Sequence, residues 1–354
     1  MNAMGDSVTV GVDLGGTSVR VGVYDGARRL LASRSMATRV AAGPQSVVEE
    51  IAAAIKELMQ GLVRDGGVFE LIGVGIGSPG PINLQTGTLG LLPNFPGWDD
   101  FPLRDALERA AELPVWLESD ANAAALAEWE MGAGKATGLQ SMAMITLGTG
   151  VGSGIILDGK VWHGMFGMGG EVGHATVDPN GPACPCGSRG CLELYASANG
   201  LMRLACGIAE TDSASSALRQ LVNRREGFSP RDVASLAELG DASACEAFRR
   251  VGFHLGIGLA NLINTLDLPM IVVGGGMATA WDLFSPAMFE TIRDYSVVYR
   301  LVEPTQRGRM ESNRTYIRPA MLGPAAGLLG AGLLPLLSSA DVPRADSTRL
   351  LESL

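Results

Sequence analysis

No run of lysine and arginine of the kind that tracks nucleic-acid phosphates occurs in this chain, and its formal net charge is -10, from 27 basic and 37 acidic residues. DNA and RNA are therefore not expected as partners. No charged n-region followed by an apolar core marks the amino terminus as a secretory signal, and no address motif is present, so a cytoplasmic location is expected. Nor is there an uninterrupted apolar run of membrane-spanning length. The nearest is 319–337, which has no charge but contains Pro319, Pro324, Pro335 and glycines at 323, 327, 330 and 332. It reads as a buried strand end followed by a helix packed on both sides, and no membrane partner is expected. Cysteines number five, an odd count that argues for reduced thiols rather than a disulfide framework.

What is present is apolar content of 47% with 18% charged residues, and length enough, at 354 residues, for two domains with cores of their own. Glycine is abundant, at 48 residues, which points to tight turns and close backbone approaches.

Three of the five cysteines, Cys184, Cys186 and Cys191, fall within eight residues, ten after His174. One imidazole and three thiolates suit a closed tetrahedral zinc site, with Gly187 and Gly190 letting the chain curl around the ion. A disulfide is the competing reading, but Cys184 and Cys186 are too close in sequence to pair easily with each other. Glu171 and Glu193 bracket the ligands. They are poor partners for a soft thiolate site and better placed to accept hydrogen bonds from a polyhydroxylated ligand.

Along the chain, Val8 to Asp13 reads as a strand ending in Asp13-Leu14-Gly15-Gly16-Thr17, with Val19 to Tyr24 as its hairpin partner and a third strand from Arg29. Val47, Val48, Ile51, Ile55, Leu58, Met59 and Leu62 recur at helical spacing. Leu71 to Ile76 is a buried strand entering the turn Gly77-Ser78-Pro79-Gly80-Pro81. Val115 to Leu117 delivers Glu118-Ser119-Asp120 to a helix over 121–131, rich in strong helix formers. The pattern then restarts. Met142 to Thr146 ends in Leu147-Gly148-Thr149-Gly150-Val151-Gly152, a return strand follows, a long helix runs from about Ser243 to Leu266, and Met270 to Val273 ends in Gly274-Gly275-Gly276. The strand, glycine turn, strand unit thus occurs twice. The polar stretch 211–243 reads as surface helices and loops, and the tail from 338 as partly disordered.

Two such glycine hairpins resemble the phosphate clamp of the actin and hexokinase superfamily. Asp13-Leu14-Gly15-Gly16-Thr17 looks like the first phosphate loop, Leu147-Gly148-Thr149-Gly150-Val151-Gly152 like the second, and Gly274-Gly275-Gly276 like the adenosine-binding turn. With the zinc loop, the resemblance narrows to the ROK family (repressors, open reading frames and kinases), and within it to glucokinase-like sugar kinases. It runs from about Val8 to about Leu334.

The resemblance implies an α/β fold of two ribonuclease-H-like domains with a cleft between them. The small domain would hold 1–118, completed by a terminal helix near 325–345, and the large one 119–324. It implies ATP-dependent phosphorylation of the 6-hydroxyl of a hexose, glucose first. N-acetylmannosamine, N-acetylglucosamine, mannose, allose and fructose are the alternative sugars, and polyphosphate the alternative donor. ATP and Mg2+ would be held by Asp13, Gly15, Gly16, Thr17, Gly148, Thr149, Gly150 and Gly274–Gly276. Turn glycines leave N–H groups to face phosphate oxygens, and Asp13 would hold magnesium, usually through water. Asp120 would be the catalytic base, against the plainer reading that it only caps its helix. The sugar would be bound by Ser119, Asp120, Glu171, His174 and Glu193, with Asn94 and Gly80 lining the same pocket. His174 would serve both zinc and sugar, so that a structural Zn2+ fixes its tautomer. The family commonly has asparagine where this chain has Ser119, and an aspartate within the stretch matching Gly323-Pro324-Ala325. A sugar-sensing repressor, the rival class, would need a helix-turn-helix before Asp13, where twelve positions leave no room. A homodimer is the expected assembly.

Overall fold

The computed structural model describes residues 6–90, 92, 95–134, 137–306 and 310–338. Asn94 and the tail beyond 338 lie outside the described residues. The chain divides into two compact units. The first runs to Met131 and takes in Val161–Gly169 and the chain from Ala325, and the second comprises Gly132–Lys160 and Gly170–Pro324.

In the first unit, strands β1 (Asp6–Leu14), β2 (Ser18–Asp25) and β3 (Leu30–Ala37) are followed by helix α1 (Pro44–Arg64) and β4 (Phe69–Ser78). The short pair β5 (Ile82–Asn83) and β6 (Thr88–Leu89) comes next, then α2 (Leu103–Ala111), β7 (Val115–Ser119) and α3 (Asp120–Glu130). The sheet order is β3-β2-β1-β4-β7. β1 pairs antiparallel with β2 and parallel with β4, and β7 joins parallel to β4. Period-two alternation explains the burial of β1: Val8, Val10, Val12 and Leu14 lie on one face and are completely buried. That face packs on Val47, Val48 and Ile51 of α1. The opposite face is met by the terminal helix, Ala326–Ser338. Gly11 and Gly75 make that approach possible, since a methyl group at either would overlap the helix backbone at Leu328 or Ala331. The Thr9 hydroxyl donates to the Gly332 carbonyl at 2.7 Å.

The second unit repeats the plan. Its strands are β8 (Met142–Leu147), β9 (Val151–Leu157), β10 (Lys160–Val161), β11 (Met270–Gly274) and β12 (Tyr316–Pro319). Their order, β10-β9-β8-β11-β12, reproduces the antiparallel hairpin flanked by parallel strands. Its helices are α4 (Glu193–Ala196), α5 (Ala198–Ala209), α6 (Ser216–Val222), α7 (Pro230–Glu238), α8 (Ala242–Leu266), α9 (Trp281–Tyr295) and α10 (Val297–Val302). The stretch 211–243 is less peripheral than its polarity suggests. Helices α6 and α7 bury Leu218, Leu221 and Val233 in the core built on α8.

The sequence-based boundary at 118/119 and the observed division differ over α3 and 161–169. Ala123 of α3 lies so close to Gly330 of the terminal helix that no side chain fits at position 330, and Glu118 is bonded to His163. Among the described residues, no helix is long and apolar enough to cross a membrane.

Candidate active site

Strands β1, β4 and β7 run parallel, so Asp13, Ser78 and Ser119 end on one edge of the first sheet, opposite Gly77 and one another in register. Carboxyl ends of parallel strands are where α/β sheets bind ligands. The β1–β2 hairpin turns through Gly15, Gly16 and Thr17, closed by the Gly15 N–H donating to Ser18 O at 3.0 Å. The Gly15 N–H is thus engaged within the turn itself. Thr38 holds the turn to β3: its hydroxyl donates to Gly15 O at 2.6 Å and its N–H to Thr17 O at 3.0 Å. Asp13 is ion-paired through Oδ2 with Arg20, whose Nε lies at 3.0 Å. Gly80 sits in the exposed turn after β4.

The junction of β7 and α3 separates two roles that the sequence left open. Ser119, not Asp120, is the N-cap: its hydroxyl accepts the Asn122 N–H at 3.1 Å. Asp120 is the first helical residue, exposed, with Oδ1 accepting the N–H of Ala121 at 2.7 Å. A carboxylate in the first turn is favoured by the helix dipole.

In the second unit the β8–β9 hairpin turns through Gly148, Thr149 and Gly150. It is closed by the Gly148 N–H donating to Gly150 O at 2.9 Å, so the Gly148 amide too is committed to the turn. The Gly274–Gly276 turn is brought against it. Gly275 has φ of 84°, and a side chain there would overlap Leu147. Glu193, at the start of α4, reaches the same hairpin, and its Oε2 accepts the Val151 N–H at 3.0 Å. The Gly148 carbonyl accepts the Ala198 N–H of α5 at 2.8 Å. Glu171 is exposed and precedes the 3-10 turn Val172–His174.

His174, Cys184, Cys186 and Cys191 converge, with their ligand atoms all within 4.8 Å of one another. His174 Nδ1 is 3.9 Å from Cys184 Sγ, and Cys186 Sγ is 3.7 Å from Cys191 Sγ. Thiolates about 2.3 Å from a tetrahedral ion are separated by about 3.8 Å, so the donor set and its spacing both fit zinc. None of the five cysteines is in a disulfide. Gly187 and Gly190, at φ of 93° and 61°, make the knuckle. Burial pushes the Cys191 thiol up to about 12 and raises Cys184, whereas the Ser188 N–H lowers Cys186. A cation among them would stabilise three thiolates together.

Sequence reasoning passed over Arg20, Thr38, Glu118 and His163. His163 is one of only three histidines, a scarcity that was a usable signal. Glu118 adjoins Ser119-Asp120, yet nothing in the local pattern marks it as buried.

The ROK family model matches residues 9–336. This chain belongs to the ROK family. It is 38% identical to a glucokinase of Halalkalibacterium halodurans, over 94% of this chain and 96% of that protein. Among solved structures, a ROK hexokinase from Thermus thermophilus superimposes with a TM-score of 0.75 at 36% identity, covering 95% of this chain and all of that one. A ROK family glucokinase from Streptomyces griseus, in complex with glucose and AMPPNP, gives 0.72 at 34%, covering 92% and 98%. The ROK fold is the actin- and hexokinase-like α/β fold, consistent with the repeated sheet order.

Proposed function

We propose that this chain transfers the γ-phosphoryl group of ATP to the 6-hydroxyl of a hexose, glucose first, giving glucose 6-phosphate and ADP. The observation that carries the reading is the β7–α3 junction. Asp120 is exposed at a helix start whose cap is already supplied by Ser119. An exposed carboxylate in the first turn of that helix suits proton acceptance from an alcohol as the bond to phosphorus forms. The similarity to glucokinases over nearly the whole chain supports the same assignment.

In this reading Ser119, Glu171, His174 and Glu193 hold sugar hydroxyls, with Gly80 and Asn94 beside them. The turn amides of Gly16, Thr17, Thr149 and Gly150 face phosphate oxygens, and Gly274–Gly276 receives the adenosine. Two functional domains, each built on one sheet, divide this work. Asp13 has one oxygen engaged by Arg20, so it fits magnesium through water, with Oδ1 as the acceptor. Magnesium, when bound, would neutralise phosphate charge. His174, Cys184, Cys186 and Cys191 would hold a structural zinc, which would fix the loop and the imidazole tautomer. Nδ1 of His174 faces the thiols, which leaves Nε2 for the sugar. A cytoplasmic location goes with reduced thiols, and a homodimer completes the reading.

A coupled assay across hexoses and amino sugars, with ATP and with polyphosphate, tests it. Glucose with ATP should give the highest kcat/KM. Failure of ATP to phosphorylate any hexose would overturn the proposal.

A further inference from the structure

Glu118 is 5% exposed and carries a carboxylate into the interior of the first unit. Such a group needs several donors, and it has them. Oε1 accepts the Ser119 N–H at 2.8 Å and the Asn122 side-chain amide at 2.9 Å. Oε2 is 2.6 Å from His163 Nε2. Ser119 in turn accepts the Asn122 N–H. Residues 118, 119 and 122 therefore form a closed net, and Asp120 lies inside it in sequence. The cap bond of Ser119 alone would start the helix, so the carboxylate adds constraint beyond helix formation.

His163 arrives from a different part of the chain. It stands at the neck of a loop closed by the Gly169 N–H donating to His163 O at 2.7 Å. Gly164 and Gly169 are packed so closely there that neither could carry a side chain without displacing the other. The ring is thus delivered from a pinched turn onto the buried carboxylate. Its contact with Glu118 raises the imidazole's pKa, as expected for a ring that donates to a carboxylate.

We infer that Glu118 and His163 are a positioning pair for Asp120, the histidine orienting the buried carboxylate that fixes the first turn of α3. The inference rests on Asp120 being the base. Neither residue needs to touch sugar or nucleotide. Their effect is on where the Asp120 carboxylate points, and misplacement of a reacting group by an ångström is costly.

The test is a double-mutant cycle on the full chain, with kcat, KM for both substrates and Tm read for each variant. His163→Ala should lower kcat about tenfold, by loss of orientation, and leave KM for ATP within about twofold. His163→Gln, whose side-chain nitrogen replaces Nε2 as donor, should restore most of the loss. In the Asp120→Asn background, His163→Ala should change residual turnover by less than about twofold, because groups acting through one another are not additive. An equal fall in both backgrounds, or a fall in Tm with kcat retained, would overturn the positioning role while leaving Asp120 as the base. Near wild-type turnover of Asp120→Asn alone would sink the base assignment, and the positioning pair with it. Should His163→Ala not fold, Glu118→Gln gives the same readout: it keeps an acceptor for Ser119 and Asn122 and removes the charge facing His163.

Discussion

Glu193 follows the cysteine-rich loop and reaches the β8–β9 hairpin, and its replacement separates two accounts of that residue. As a sugar ligand alone, Glu193 would affect only hexose binding. The structure instead has its Oε2 accepting the Val151 N–H at 3.0 Å, at the first position after the hairpin turn, with Val151 only 6% exposed. A hydrogen bond to a charged acceptor contributes about 1.5–3 kcal/mol and a neutral one about 0.5–1.5, so Glu193→Gln should weaken this anchor by about 1 kcal/mol. If the hairpin receives the nucleotide, that corresponds to roughly a fivefold loss of affinity. Glu193→Ala removes the acceptor and leaves a buried N–H unpaired, at about 2 kcal/mol or more, or roughly thirtyfold. The assay is calorimetric titration with AMPPNP in the absence of sugar, where no hexose contact contributes. Wild-type nucleotide affinity in both variants would refute the anchoring argument and leave Glu193 to the sugar alone.

Freshly purified protein should contain one zinc per chain, and a strong chelator or Cys186→Ser should lower both Tm and activity, since binding and loop folding are linked; metal analysis well below one equivalent would contradict the site. Ser119→Ala should cost about 1 kcal/mol of stability through the lost cap, while Ser119→Asn keeps a cap, so its effect should fall on KM for sugar rather than on Tm; equal shifts in the KM of sugar and of ATP would place Ser119 outside the sugar pocket. The bond to Glu118 raises the His163 pKa above its ordinary 6.5, against the opposing effect of burial. Its contribution to stability is therefore complete below about 6.5 and is lost as pH rises through the folded value. The Tm difference between wild type and His163→Gln should shrink over that window in thermal melts, and a difference that grows with pH would reverse the assignment.

Much of the chemistry was legible in the sequence because it is local. The His174, Cys184, Cys186 and Cys191 cluster, whose donors fit a metal ion, spans only 174 to 191, and two left-handed glycines inside that span close the knuckle, so its convergence follows from local spacing. Both glycine hairpins turn within three residues, and the alternation of Val8, Val10 and Val12 set the face of β1 that packs on α1. The capping question at 119–120 was not decidable from sequence, because serine and aspartate are both good N-caps and the backbone alone selects between them. The committed amides of Gly15 and Gly148 and the Arg20 partner of Asp13 are equally invisible in a one-dimensional pattern. Tertiary structure also placed His163 on Glu118, which lies 45 positions earlier in the chain, and packed Ala123 of α3 against Gly330 of the terminal helix. Local propensity and periodicity fix which segments become strands and helices. Which distant side chain satisfies a buried carboxylate depends on how those segments pack, and no spacing rule in the chain encodes that.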